Sequence, residues 1–248
     1  MNYVFITAIK SPTNAERSEG YKYSIEAWKR WCGANGAELR VLDVPVCDVN
    51  LLKANYHRYY CFDLLAEEPD VEQICLIDAD TIVHPNCPNF FNLTQDQFTT
   101  VREDGDFDWI IRSVENLKHE FPQNFKKSFQ IWDYFNSGMI ITNKEHKWVF
   151  DLLLEFYWSN ADKVRACQQK YGTGTDQPLL NWLLQENDVK VNFLPYKFNM
   201  TSLQQKNILD TRFWFTQIQG IYHFNAVQGG PQVVNRWLKN TFEFLYGK

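Results

Sequence analysis

No apolar stretch of the 248-residue sequence approaches the length of a membrane span, which excludes a membrane-spanning helix. Basic residues are in the minority. The 25 Lys and Arg stand against 30 Asp and Glu, a net charge of -5, and this balance argues against a general nucleic-acid binder, whose footprint is basic. None of Cys32, Cys47, Cys61, Cys75, Cys87 and Cys167 belongs to a Cys-x-x-Cys pair, so neither a zinc cluster nor a disulfide framework is implied. Reduced thiols in a cytosol are the simplest reading. Met1 to Lys10 lacks the basic and long apolar regions of a signal peptide, and a cytoplasmic location is expected. No repeat and no low-complexity linker divides the chain, so one domain over residues 1–248 is expected. Asn92-Leu93-Thr94 and Asn199-Met200-Thr201 match glycosylation sequons, a pattern short enough to arise by chance.

What the chain does have is a series of short apolar runs separated by helical patterns. Tyr3–Ala8 predicts a buried strand, and the Lys10–Ser18 loop after it is a surface against which a nucleotide could rest. Tyr21, Ile25, Trp28 and Trp31 recur at helical spacing across Glu19–Asn35, with Gly33 and Gly36 marking the end, and Glu38–Val44 predicts a second strand. A strand, helix, strand unit of this kind is expected to be parallel and right-handed. Leu51–Ala66 predicts a helix with a strongly apolar face carrying Arg58, which is either a solvated surface arginine or a fork for a diphosphate or carboxylate. The fold class that follows is α/β, with a mostly parallel central sheet flanked by helices.

The most informative stretch is Gln73-Ile74-Cys75-Leu76-Ile77-Asp78-Ala79-Asp80-Thr81-Ile82-Val83. Its apolar run is too short for a typical helix and suits a strand buried on both faces that ends at Asp78. Ligands bind outside the carboxyl ends of strands in open α/β sheets. On an extended chain Asp78 and Asp80 point the same way, and paired like charges there favour a cation. Farther on, Phe98–Arg102 predicts a strand, and Glu103–Asp108 is an acidic cluster read as a solvated loop followed by helix N-terminal charges. Trp109–Lys118 then predicts a helix. In Phe135-Asn136-Ser137-Gly138-Met139-Ile140-Ile141, small polar groups and a glycine stand where backbone must come close to something.

A long helix is predicted for Lys144–Trp158 and another for Gln177–Gln185, which Thr175 or Asp176 can cap with Pro178 in its first turn. Capping alone is enough to explain Asp176. Val189–Leu194 predicts a strand, Pro195–Gln219 an irregular aromatic segment, and Gly220–Ala226 a last strand carrying His223, followed by a closing amphipathic helix at Val233–Leu245.

In order and spacing, Asp78-Ala79-Asp80, the Phe135–Ile141 strand, Asp176-Gln177-Pro178-Leu179-Leu180-Asn181 and Tyr222-His223-Phe224 resemble the GT-A glycosyltransferases. The resemblance runs from Tyr3 to about Asn225 and is strongest to the branch containing glycogenin and the bacterial lipopolysaccharide galactosyltransferases. It implies a single Rossmann-like GT-A domain and transfer of a sugar from a nucleotide-sugar, most often a UDP-sugar, with Mn2+ or Mg2+ as cofactor. The partners it implies are that donor and a glycan, lipid-linked or protein acceptor. It further implies that Asp78, Asp80 and His223 ligate the metal, and that Thr7, Ala8, Arg58 and the Asp78-Ala79-Asp80 turn hold the donor. Asn136 would face the donor sugar, with Asp176 and Gln177 beside the reacting carbon and the acceptor.

One feature departs from the family. Its usual lysine after the late histidine is missing, and backbone amides around Gly229 and Gly230 at a helix N-terminus could serve a phosphate instead. Two other readings stay open on the residues alone. Asp78-Ala79-Asp80-Thr81 also fits the nucleophile and acid pair of haloacid-dehalogenase-type phosphohydrolases, although about 75 residues precede it and no later acidic pair follows a convincing strand. A non-catalytic nucleotide- or glycan-binding protein of the same fold is the other.

Overall fold

The computed structural model describes residues 1–247 except Thr13, Pro69, 205–209 and Ala226. Parts of the predicted Lys10–Ser18 loop, Leu51–Ala66 flank, Pro195–Gln219 segment and Gly220–Ala226 strand therefore lie at or outside the edge of the described residues. The chain runs β1 (Asn2–Thr7), α1 (Tyr21–Asn35), β2 (Ala37–Leu42), a 3-10 segment (Ala54–Tyr60) leading into the single turn α2 (Cys61–Leu64), β3 (Gln73–Asp78) and β4 (Thr81–Val83). It continues through β5 (Phe98–Arg102), α3 (Phe107–Glu120), β6 (Phe135–Thr142), α4 (Lys147–Tyr171), α5 (Gln177–Glu186), β7 (Val191–Phe193), β8 (Ile221–His223) and α6 (Pro231–Tyr246).

Six strands make the central sheet in the order β2-β1-β3-β6-β5-β7. Five run the same way and β6 runs against them, so the sheet is mostly parallel, as the sequence predicts. Alternation along each strand feeds two cores. Tyr3, Phe5, Ile74 and Leu76 pack on one face, and Val4, Ile6, Cys75 and Ile77 pack on the other. A strand covered on both sides must be apolar throughout, which is why Ile74 to Ile77 form an unbroken run. The high aromatic content is spent in these layers: Trp31 stacks on Phe90 over one face, and Phe125 on Trp182 over the other.

Two predicted helices differ in extent. Over Leu51–Ala66 the chain winds mainly as a 3-10 segment, with Tyr56, His57, Arg58 and Tyr59 buried in succession. The helix predicted to end at Trp158 continues to Tyr171. Asn160 leaves helical geometry there, its side chain donating to the Phe156 carbonyl at 2.9 Å, and the chain resumes with only Val164, Cys167 and Gln168 buried beyond it. That sparse apolar face gives a weak periodic signal.

Three features position the site. Parallel pairing of β1 with β3 sets Thr7 beside Asp78 at the carboxyl edge of the sheet. Antiparallel β6 brings its first residues, Asn136 to Gly138, to that same edge. After β3 the chain turns at Ala79 and Asp80, and β4 leaves the sheet to pair with β8, which puts Thr81 opposite His223.

Candidate active site

Asp78 and Asp80 converge through a turn, not through strand alternation. Thr81 Oγ1 closes the turn by donating to the Asp78 carbonyl at 2.8 Å, and Trp28 Nε1 donates to Thr81 Oγ1 at 2.9 Å. The amide of Phe224 donates to the Asp80 carbonyl at 2.9 Å, tying the turn to the strand that carries His223. Each carboxylate has one oxygen held by an arginine and the other turned toward one imidazole nitrogen. Arg58 Nη1 donates to Asp78 Oδ1 at 2.7 Å, and Arg17 Nη2 donates to Asp80 Oδ2. His223 Nε2 lies 3.6 Å from Asp78 Oδ2 and 3.2 Å from Asp80 Oδ1.

His223 is buried, and its orientation is set from behind. Asn199 donates its amide to Asn136 Oδ1 at 3.0 Å, which leaves Asn199 Oδ1 to accept from His223 Nδ1 at 2.9 Å. The proton therefore belongs on Nδ1 and the lone pair on Nε2. That nitrogen is buried with no well-formed hydrogen bond, although carboxylate oxygens stand near it. A buried imidazole lone pair facing two carboxylate oxygens is the donor set of a divalent cation, and ligand atoms of Asp78, Asp80 and His223 lie within 4.8 Å of one another. The residues present fit such an ion.

The imidazole and the two carboxylates set one another's proton affinity. Burial raises the Asp78 carboxyl above its ordinary range against the pull of Arg58 and His223. Burial would also raise the Asp80 carboxyl, but His223 and Arg17 hold it well below that range. For His223 burial opposes the charged form, and the Asp80 carboxylate overcomes it and raises the imidazole pKa.

The carboxylate edge opens into a cavity of about 610 Å³ whose wall includes Arg58, Asp78, Asn136, Asp176, Gln177 and His223. Arg58 is 1% exposed, so it is no solvated surface residue. Its guanidinium donates to Asn55 O at 2.9 Å, Ser137 O at 2.9 Å and Asp176 Oδ2 at 2.9 Å besides Asp78. Asp176 makes no cap bond to helix α5, which corrects the capping reading. Its carboxylate accepts instead from Arg58, Tyr59 and Asn55. Gln177 accepts from the Ser137 amide at 3.0 Å and from Asn136 Nδ2 at 3.2 Å. A second, smaller hollow is lined by Thr7, Asn14, Ala79 and Asp80, and buried Thr7 Oγ1 has no hydrogen-bond partner among the described residues. Ala8 packs into the core with its amide on Leu42 O at 2.8 Å, and neither Ala8 nor Gly229 lines these two spaces.

The sequence profile of glycosyl transferase family 8 matches residues 25–228, most of the chain. The chain belongs to glycosyl transferase family 8. It is thus a glycosyltransferase with the GT-A fold, and the phosphohydrolase reading of Asp78-Ala79-Asp80 falls away. Among solved structures, this family 8 chain is similar to a glycosyltransferase involved in glycosylation of the major capsid of the virus PBCV-1, at 11% identity and a TM-score of 0.59, with 96% of this chain and 98% of that one covered. It is also similar to mouse xyloside xylosyltransferase 1 (13% identity, TM-score 0.48, covering 91% and 98%). The galactosyltransferase LgtC, solved with donor and acceptor sugar analogs, aligns at 12% identity and a TM-score of 0.45 over 97% of this chain and 96% of that one. No curated protein matches the sequence.

Three residues at the site carry no clear sequence signal. Glu103, read as part of a solvated loop, accepts from Asn136 Nδ2 at 2.9 Å and Gln177 Nε2 at 3.3 Å, while Asp104 accepts from Thr201 and Ser202 at 2.7 and 2.9 Å. Asp106 and Asp108 behave as read, Asp106 capping α3 by accepting from the amides of Asp108 and Trp109 and Asp108 standing exposed in its first turn. A register shift between Thr100 and Arg102 turns the end of β5 toward the cavity. Asn199, set aside as part of a chance sequon, is buried and orients His223. Arg17 folds onto Asp80 from the loop after β1, 63 residues away in sequence. No helix of the described residues is long and apolar enough to cross a membrane.

Proposed function

We propose that this family 8 enzyme moves a sugar from a nucleotide-sugar, a UDP-sugar, to an acceptor hydroxyl with a divalent ion, manganese or magnesium, held by Asp78, Asp80 and His223. The observation that carries this reading is the buried His223 Nε2, its lone pair set by Asn199 and aimed between two carboxylates at the mouth of the cavity. An ion bound there supplies Lewis-acid stabilisation of the charge that builds on a departing diphosphate.

The protein's own groups take the other tasks. Thr7 and the Asp78-Ala79-Asp80 turn line the hollow beside the carboxylates, where the nucleoside would rest. Ala8 supports that strand end from the core. Arg58 is saturated by Asp78, Asp176 and two carbonyls, so its part in donor binding is to hold both carboxylates in place. Asn136, Asp176 and Gln177 form the wall against which the sugar would lie. Asp176, already accepting from four side chains, is held in place there, and Gln177 lies with it beside the reacting centre. Gly229 sits at the start of helix α6 outside the cavity wall, and its amide is the reading's phosphate donor of last resort. The acceptor is a glycan, lipid-linked or protein hydroxyl, and the setting is the cytoplasm, as one domain.

A panel of nucleotide-sugars screened by thermal shift, with manganese and with EDTA, tests this. The expected result is a rise in Tm for UDP-sugars in manganese alone. No shift for any nucleotide-sugar would contradict it.

A further inference from the structure

Arg17 is the one cationic side chain at the cation site with donor capacity to spare among the described residues. Three contacts hold it, to Asp80 Oδ2, to Phe224 O at 3.2 Å and to Asn225 O at 3.1 Å, and all of them use the same nitrogen, Nη2. Nε and Nη1 have no hydrogen-bond partner among the described residues, and the side chain keeps 29% of its exposure. Arg58 differs on both points, being buried with four acceptors around it.

The placement is specific. Asp80 divides its two oxygens between His223, on the cation side, and Arg17, on the open side. The guanidinium and the imidazole therefore stand on the two oxygens of one carboxylate. A nucleoside diphosphate released from a sugar carries roughly three negative charges, of which a divalent ion offsets two. One remains. An arginine with unused N–H groups can donate to a phosphate oxygen as well as supply charge. Arg17 also lies outside the residues that the family profile matches.

We propose that Arg17 is a diphosphate-contact residue, which turns an unused N–H, on Nε or Nη1, to the donor's phosphates while Nη2 stays on Asp80. This rests on the nucleotide-sugar reading above. The rival role is a staple that merely joins the first loop to the segment after His223.

Calorimetric titration of UDP in manganese, and ligand-observed NMR of uridine, on the unaltered chain, Arg17→Ala and Arg17→Lys separate the two. The expected result is UDP binding weakened about tenfold or more in Arg17→Ala, partly restored in Arg17→Lys, with uridine binding unchanged in both. Circular dichroism establishes that the variants are folded, and Arg17→Gln replaces Arg17→Ala if the latter is not. Equal UDP affinity in Arg17→Ala and the unaltered chain overturns this proposal alone, as does a parallel loss of UDP and uridine, the mark of a staple. Failure of the unaltered chain to bind UDP in manganese overturns this proposal together with the reading it rests on.

Discussion

Gly138 lies directly beneath the imidazole of His223, so close that a Cβ on residue 138 would stand 2.3 Å from His223 Cε1 and 2.9 Å from Nδ1. The backbone of Gly138 is extended strand, and its glycine is required by space, not by conformation. Gly138→Ala must push the imidazole away from the carboxylates or shift β6, because a buried ring has little room to give. The expected outcome is a loss of about 1–3 kcal/mol in urea unfolding together with weakened manganese binding. Gly33→Ala, where a Cβ would meet nothing within 4 Å, serves as the control and leaves binding unchanged.

Arg58 neutralises two carboxylates in a buried setting, Asp78 on one side and Asp176 on the other. Removing it strands both charges, so Arg58→Ala costs about 3–5 kcal/mol in chemical denaturation. Asp80→Asn, which keeps shape and leaves Arg58 alone, removes transferase activity with far less effect on stability. A variant Asp80→Asn with normal turnover would sink the metal assignment.

Asn199 touches neither the carboxylates nor the cavity opening, yet it determines which nitrogen of His223 carries the proton. Asn199→Ala frees the ring to turn and leaves Asn136 Oδ1 with the Gly138 amide as its remaining donor. Manganese affinity is expected to fall about 10–100-fold, the range for outer-shell partners of metal ligands, measured by calorimetry.

The sheet and the acidic turn were legible in the residues because their signals are local, while His223 joined Asp78 and Asp80 only through the resemblance to the family. Ile74 to Ile77 is an apolar run ended by acids, and Asn136-Ser137-Gly138 announces a close approach whose object proves to be His223. What the sequence concealed depends on contacts between distant segments. Glu103 lies in a stretch whose charge density reads as solvated, and only the register shift in β5 turns it toward Asn136 and Gln177. Asp176 occupies a capping position by sequence, yet Tyr59, Arg58 and Asn55 draw its carboxylate away from the helix start. Along Ala54–Tyr60 four successive residues, Tyr56 to Tyr59, are buried, a pattern that no helical periodicity announces.

His57, next to Arg58, supplies a pH dependence with a definite sign. Its Nδ1 accepts from the Val46 amide at 3.0 Å and its Nε2 donates to Leu52 O at 2.9 Å, so the fold needs the neutral ring. Burial lowers its pKa below the unfolded value of 6.5. Between those two values the unfolded chain binds the extra proton, so this contribution is complete above about 6.5 and is lost as pH falls toward the folded value. His223, with its raised pKa, works in the opposite sense. Urea midpoints at pH 7.5 and 5.5 should therefore converge in His57→Gln relative to the unaltered chain.

The central claim is that Asp78, Asp80 and His223 hold a divalent ion on which a nucleoside diphosphate binds. Calorimetric titration of UDP into the unaltered chain and His223→Ala, each in manganese and in EDTA, tests it most directly. The account predicts binding by the unaltered chain in manganese only, and none by a folded His223→Ala in either buffer. Binding of UDP by His223→Ala in manganese as tight as that of the unaltered chain would contradict it.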